Sequence, residues 1–368
     1  MGERKRVVAM APYERPWSNV ELVKDCGLIP YLLYKNHNCE SVMVGAPGGE
    51  YSYLSLVQGL QMEFLEDGRQ ETKLKYIAGH AKEIDLLILR GFYPDYQNMI
   101  PLYKQLNPEG KICLNLDANS IWADRIDCKN ELFCSLLQEC DVITTSGKMT
   151  QRYLNEKWTA KISYIPNGYY AFGEERPRYD FSEKNNTILT VGRLGTQQKA
   201  THVMLEAFVR AAEKIPDWKL RLVGSVEPGF EPEIQRYFER NPELRERVVF
   251  VGEIHDRQKL FQEYRQAKIF TLSSEVEGGA PNVVAEALNA GCVTAVTRFD
   301  GAWDATNFET CGVIAEIDDA EGLAQGYIRL AGAKNLREMS ERAYLYGSTC
   351  LNMERIVAKL YEQIFGDE

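Results

Sequence analysis

TILTVGRLGTQQKATHVMLEAF (187–208) opens as a β-rich run, turns through a segment bounded by Gly192 and Gly195, and continues with apolar residues at helical spacing. A second such stretch is KIFTLS running into SSEVEGGAPNVVAEALNAGCVTAV (273–296), which reads strand, loop, helix, strand. Outward from these two the alternation continues. After the first stretch come a helix near 199–214, WKLRLVG, a helix near 230–240 and VVFVG, and the second ends in CVTAV followed by CGVIAE. The first half carries RVVAMA, an amphipathic stretch near 19–36, SVMVGA, DLLILRGF, KICLNLD, DVITTS and KISYIP. Short β runs alternating with helices predict parallel sheets wrapped by helices, hence two doubly wound α/β units in tandem.

Bulk properties agree. With 368 residues, 45% apolar and 26% charged, the chain has an ordinary globular composition and is long enough for two domains, each with its own core and a cleft between them. FGEERPRYDFSEKNN (172–186), rich in charge and poor in aliphatic residues, reads as the linker. MERIVAKLYEQIF (353–365) has apolar residues at helical spacing and must cover a hydrophobic face. No run of 18 apolar residues occurs and the first twenty residues lack a signal-like apolar block, so the chain is expected in the cytoplasm, at the inner face of the membrane if it meets one. Nine cysteines without a C-x-x-C pair read as reduced, mostly buried thiols. Four scattered histidines and the absence of H-E-x-x-H or Asp-x-Asp argue against a dedicated metal site. A net charge of −10 excludes nucleic acid as a default partner and makes any membrane contact weak and peripheral; the half after Gly173 is the acidic one.

Ligands of open α/β sheets bind beyond the carboxyl ends of the strands. Beyond TILTV lie Arg193 and then Lys199 at a helix start, where the positive end of the helix dipole disfavours cations unless an anion sits between them. The alternative is a solvated lysine and glycines that only shape a turn. Beyond KIFTLS, Gly278-Gly279-Ala280 lets backbone N–H groups approach a ligand, and Pro281-Asn282-Val283 opens a helix whose N-terminus suits a phosphate. Glu286 then lies among Val283, Val284, Ala287 and Leu288, where a carboxylate needs donors, either sugar hydroxyls or a buried arginine of the same domain. Glu277, before the glycines, is suited to a second polyol.

Both motifs resemble the carboxyl-terminal domain of retaining glycosyltransferases of the GT-B fold, family 4 type, over about residues 187–325. The resemblance implies two Rossmann-like domains facing each other across a cleft. It makes 1–172 the acceptor-side domain, with the helix about 350–368 packing back on it, and 173–349 the nucleotide-sugar domain. It implies that Arg193 and Lys199 bind the donor diphosphate, that Glu277 touches the donor sugar and Glu286 the ribose. Gly192, Gly278, Gly279, Ala280, Pro281, Asn282 and Val283 would complete the donor site, with Gly252 and Ile254 beside the nucleobase and His255 on the surface. Three departures are visible: Glu277 and Glu286 are separated by eight residues rather than seven, Ala200 replaces a glycine, and FDGAWDATN (299–307) replaces a later glycine-rich stretch.

The first half resembles the family only in architecture and in IPNGY (165–169); APYERPWSN (11–19) stands where a Gly-Gly loop is usual. Acceptor residues are therefore sought at its strand ends. Tyr13, Trp17, Arg90, Tyr93 and Trp122 are chosen as side chains for a sugar, among further aromatics Tyr51, Tyr53, Phe92 and Tyr96 that serve equally well as core. Asp117 is the acceptor-side carboxylate or, with Asn119, a helix cap.

The function implied is metal-independent transfer of a sugar, with retention, from a UDP- or GDP-linked donor to a glycan or lipid-linked acceptor hydroxyl in surface polysaccharide or glycolipid synthesis, with no cofactor. Rival readings are a GT-B epimerase or phosphorylase, a non-catalytic nucleotide-sugar binder, and a dehydrogenase, against which the missing G-x-G-x-x-G counts.

Overall fold

The computed structural model describes residues 4–172 and 179–366. The chain divides into two compact units, Met1–Glu174 with Asn352–Glu368, and Glu175–Leu351. Of the linker expected at 172–186, residues 173–178 lie outside the described residues. The rest of it is already structured: Phe181–Glu183 makes a 3-10 turn and a strand begins at Asn185, so polar composition overstates the linker's extent.

The first unit is built on seven parallel strands: β1 (Arg6–Met10), β2 (Glu40–Gly45), β3 (Gln61–Phe64), β4 (Leu86–Arg90), β5 (Lys111–Leu116), β6 (Val142–Thr145) and β7 (Ile162–Tyr164). Their order is β3-β2-β1-β4-β5-β6-β7. Val7 of β1 lies opposite Ser41 on one side and Leu86 on the other. The central strands are buried on both faces, which is why they read as continuous apolar runs. Sequence pattern does not reveal β3: QMEF is a four-residue edge strand with no buried residue, and neither periodicity nor hydrophobicity marks it.

The helix Asp25–His37, amphipathic by its sequence pattern, is in fact buried continuously from Gly27 to Leu33. The helix Met353–Phe365 covers the face that would otherwise meet water, through Met353, Ile356, Val357, Leu360 and Ile364 against Leu28, Leu32 and Leu33. His37 stacks on Tyr361 at 4.3 Å between ring centroids. Asn352 caps this last helix, accepting from the N–H of Glu354 at 3.0 Å, and the Met353 N–H donates to the Tyr169 carbonyl at 3.0 Å. IPNGY therefore ends where the last helix begins.

The second unit has six parallel strands: β8 (Asn185–Val191), β9 (Lys219–Val223), β10 (Val248–Gly252), β11 (Ala267–Leu272), β12 (Val293–Thr297) and β13 (Gly312–Ala315). The order β10-β9-β8-β11-β12-β13 repeats the first sheet's winding. In both sheets the winding reverses between the first strand and the fourth, β1 and β4 in one, β8 and β11 in the other, and a crevice opens there beyond the carboxyl ends.

All nine cysteines are free; four are buried, four half-buried and Cys350 exposed, so fewer are interior than their residue type suggests. Among the described residues no helix is long and apolar enough to cross a membrane. Because Leu360 is 1% exposed beneath the helix Asp25–His37, Leu360→Ala is expected to destabilise the protein by about 2–4 kcal/mol, read as a lower urea midpoint at unchanged slope.

Candidate functional site

At the reversal point of the second sheet the loops following β8 and β11 lie side by side. Ser273, directly after β11, donates through its hydroxyl to the Lys199 and Ala200 carbonyls at 2.9 and 3.0 Å, and the Glu275 N–H donates to the Gln198 carbonyl at 2.9 Å. The glycine turn closes on itself, since the Gly195 N–H donates to Thr201 Oγ1 at 2.8 Å. A side chain at Gly195 would run into Phe230 at 2.3 Å.

On this scaffold five polar side chains are linked through Glu277 and Gln198. The Lys199 ammonium pairs with Glu277 Oε1, and Ser274 donates to the same oxygen at 2.9 Å. Gln198 donates to Glu277 Oε2 at 3.4 Å and to the Val276 carbonyl at 3.0 Å, and its own amide oxygen accepts from Arg193 at 3.1 Å. Lys199 and Glu277 keep only 16% and 12% of their side-chain surface, so Lys199 is not a solvated lysine. Arg193 is exposed. Gln198 and Ser274 escape a reading of the sequence because a neutral amide or hydroxyl carries no signal until its partners are placed.

Ala200, where a glycine is usual, adopts the left-handed conformation at φ 42°, ψ 47° while buried. Such a residue costs roughly 1–2 kcal/mol, which accounts for the preference for glycine there.

The Gly278-Gly279-Ala280 loop leads through Pro281 into the helix Asn282–Asn289, with Pro281 itself at the capping position. FDGAWDATN packs under this loop: a side-chain carbon on Gly301 would sit 2.0 Å from the Gly279 carbonyl carbon. Inside the helix, Glu286 accepts from Arg257 at 2.6 Å and from the Tyr264 hydroxyl at 2.7 Å, both on the helix Arg257–Gln266. The pairing with an arginine of the same domain thus occurs, with Tyr264 as a partner that nothing in its sequence neighbourhood marks. Complete burial, and then the Glu286 charge, push the Tyr264 phenol well above its usual range, so it stays a donor. Gly252 ends β10 at φ 83°, its carbonyl accepting from the Gly224 N–H at 2.9 Å; Ile254 is half-buried and His255 exposed.

In the first unit the reversal point gathers Tyr13, Arg90 and Tyr93. The two tyrosine rings meet edge to face at 6.3 Å. Burial, with Tyr93 nearby, raises the Tyr13 phenol to about 12. Arg90 pairs with the buried Asp25 and donates to Asp117 at 3.0 Å, while Asp117 keeps 58% of its side chain exposed. Asp117 is no helix cap; Asn119 fills that role, accepting from the Trp122 N–H at 2.7 Å. Trp17 is corrected from ligand contact to core: it is 3% exposed and its indole N–H donates to the Val44 carbonyl at 3.1 Å. Its ring fills the space left by Gly45, where a side chain would come within 2.8 Å of it. Tyr96 is also core, donating to the Arg90 carbonyl at 2.6 Å, and Trp122 is half-buried against the same interior.

Both loops of the second unit fall within a stretch that is similar to a known family. Residues 185–332 match the family glycosyl transferases group 1. The matched stretch lies within the second unit. The chain is 24% identical over 225 residues to a phosphatidyl-myo-inositol mannosyltransferase of Mycolicibacterium smegmatis, an alignment covering 59% of this chain and 56% of that protein. It is 28% identical over 222 residues to an uncharacterized glycosyltransferase of Haemophilus influenzae, covering 59% of each. The alignments therefore span less than two thirds of these curated relatives. Anabaena Alr3699/HepE, solved in complex with UDP, superposes with a TM-score of 0.74 at 15% identity, covering 97% of this chain and 98% of that one. The fold is the two-domain α/β GT-B fold.

The strained Ala200 gives a direct check. Ala200→Val adds a branched side chain to a buried left-handed position and is expected to cost more than about 2 kcal/mol, whereas Ala200→Gly changes stability by less than about 1 kcal/mol; chemical denaturation of both decides it.

Proposed function

We propose that the protein transfers a sugar, with retention of configuration, from a UDP- or GDP-linked donor to an acceptor hydroxyl, without a metal ion holding the diphosphate. The observation that carries this reading is the gathering of Arg193, Lys199 and Glu277 at the reversal point of the second sheet, next to the start of the helix Asn282–Asn289. The presence of UDP in the Anabaena relative supports a nucleotide donor.

As the glycosidic C–O bond breaks, negative charge grows on the leaving diphosphate. Arg193, Lys199 and the helix start stabilise that charge more in the transition state than in the ground state. A cation about 4 Å from a phosphate charge attracts it by about 4 kcal/mol at an effective dielectric of about 20, while the acidic surface of this half is screened over about 8 Å. Gly192, Gly278, Gly279, Ala280, Pro281, Asn282 and Val283 line the phosphates and sugar through their backbone, and Gly252 and Ile254 flank the base. Glu286, oriented by Arg257 and Tyr264, retains lone pairs for the ribose hydroxyls. The donor phosphate itself helps to deprotonate the acceptor hydroxyl.

The acceptor, a glycan or lipid-linked sugar of surface polysaccharide or glycolipid synthesis, is recognised by the first unit through Tyr13, Tyr93 and Asp117, with Trp122 at the edge and Arg90 holding the carboxylate in place. The reaction is cytoplasmic and needs no cofactor.

Arg193→Ala and Lys199→Ala are each expected to lower kcat/KM for the nucleotide sugar by roughly 10²–10³-fold. Glu286→Ala is expected to weaken nucleotide binding with the smaller effect on kcat. A panel of nucleotide sugars, followed for released nucleotide with and without acceptor glycans, tests the assignment; donor kinetics unchanged in both cation variants would overturn it.

A further inference from the structure

The donor site of the second unit is electrostatically closed on itself. Lys199 already has an anion, the Glu277 carboxylate, and Arg193 is held by the Gln198 amide, whose other end donates to that same carboxylate. The pair is largely removed from water, with 16% and 12% of side-chain surface left. Its two members are held differently. Glu277 keeps two further donors, Ser274 at 2.9 Å and Gln198 at 3.4 Å, whereas among the described residues the Lys199 ammonium has no acceptor other than Glu277. Ser274 is in turn fixed from beneath, its carbonyl accepting from Thr297 at 2.6 Å. If the pair opens, the carboxylate stays in place and the ammonium on its flexible stem moves.

We propose that Glu277 occupies the place of the diphosphate charge on Lys199, so that the site accepts a sugar only when a diphosphate arrives with it. In the resting pair Glu277 has committed one oxygen to Lys199 and is a poor acceptor for sugar hydroxyls. A nucleoside diphosphate draws Lys199 away, and Arg193 with it from Gln198. The released Glu277 oxygen then accepts from the donor sugar, while Ser274 and Gln198 hold it at the same position. The exchange conserves charge: one anion replaces another on the ammonium, and hydroxyl donors replace the ammonium on the carboxylate. Gln198, touching both Arg193 and Glu277, is the positioning residue that links the two halves of the exchange. This selects nucleotide sugars over free monosaccharides, which lack the anion needed to open the pair.

The inference rests on the proposed donor site, and the test separates the two. UDP, GDP and inorganic pyrophosphate are titrated calorimetrically into the full-length protein and into Glu277→Gln, with nucleotide-sugar turnover measured in parallel. Removing the competing carboxylate charge is expected to tighten diphosphate binding by about five- to tenfold while kcat falls. Ser274→Ala takes a donor from the released carboxylate while leaving its charge to Lys199, so it raises the cost of opening the pair and is expected to weaken diphosphate binding by about twofold; it serves if Glu277→Gln does not fold. Free glucose and mannose are expected to bind measurably only with diphosphate present. If neither the wild type nor any variant binds a diphosphate, the donor site itself is wrong. If the wild type binds it but Glu277→Gln binds it equally or more weakly, or Ser274→Ala binds it as tightly or more tightly, the donor site stands and the exchange is overturned.

Discussion

The site depends on the parallel register of β8 with β11, in which Ile188 lies beside Ile269. These strands are neighbours in space but successive crossovers leave them toward opposite faces, so the loops at their carboxyl ends are not covered by a helix. Residues more than seventy positions apart, Lys199 with Ser273 and with Glu277, come within hydrogen-bonding distance only because of that adjacency. The loops are short and anchored by side chain to backbone hydrogen bonds, so their geometry is inherited from the sheet.

The same constraint accounts for how charge is distributed in the second unit. A buried cation or carboxylate without a partner is costly, and the protein meets that cost locally, Lys199 with Glu277 and Glu286 with Arg257 and Tyr264. In the first unit Arg90 plays a comparable part between Asp25 and Asp117, leaving one carboxylate buried and the other open to solvent.

Much of this is legible in the chain because parallel strands buried on both faces announce themselves as apolar runs, as in VTAVT (293–297) of β12, where every residue is buried. The two loop motifs are legible because glycines and paired charges directly after a strand weaken the local structure unless a ligand or a tight turn requires them. The remainder is hidden for definite reasons. The edge strand β3 buries nothing, the helix Asp25–His37 loses its polar face to a segment more than three hundred residues later, and Trp17 reads as a ligand contact only until Gly45 and Val44 are seen to enclose it. Gln198, Ser274 and Tyr264 act through partners that no spacing rule connects to them. Ala200 shows the converse, a local rule broken where Ser273 and the turn fix the backbone from outside.

The central claim is that the second unit grips a diphosphate with one guanidinium, one ammonium and a helix start. A crystal structure of the protein with an intact UDP- or GDP-sugar tests it most directly. The account predicts phosphate oxygens within hydrogen-bonding distance of Lys199 Nζ and the Arg193 guanidinium, with the nucleoside toward Glu286. A nucleotide bound elsewhere on the chain, or Lys199 still on Glu277 with the diphosphate absent from the loop, would contradict it.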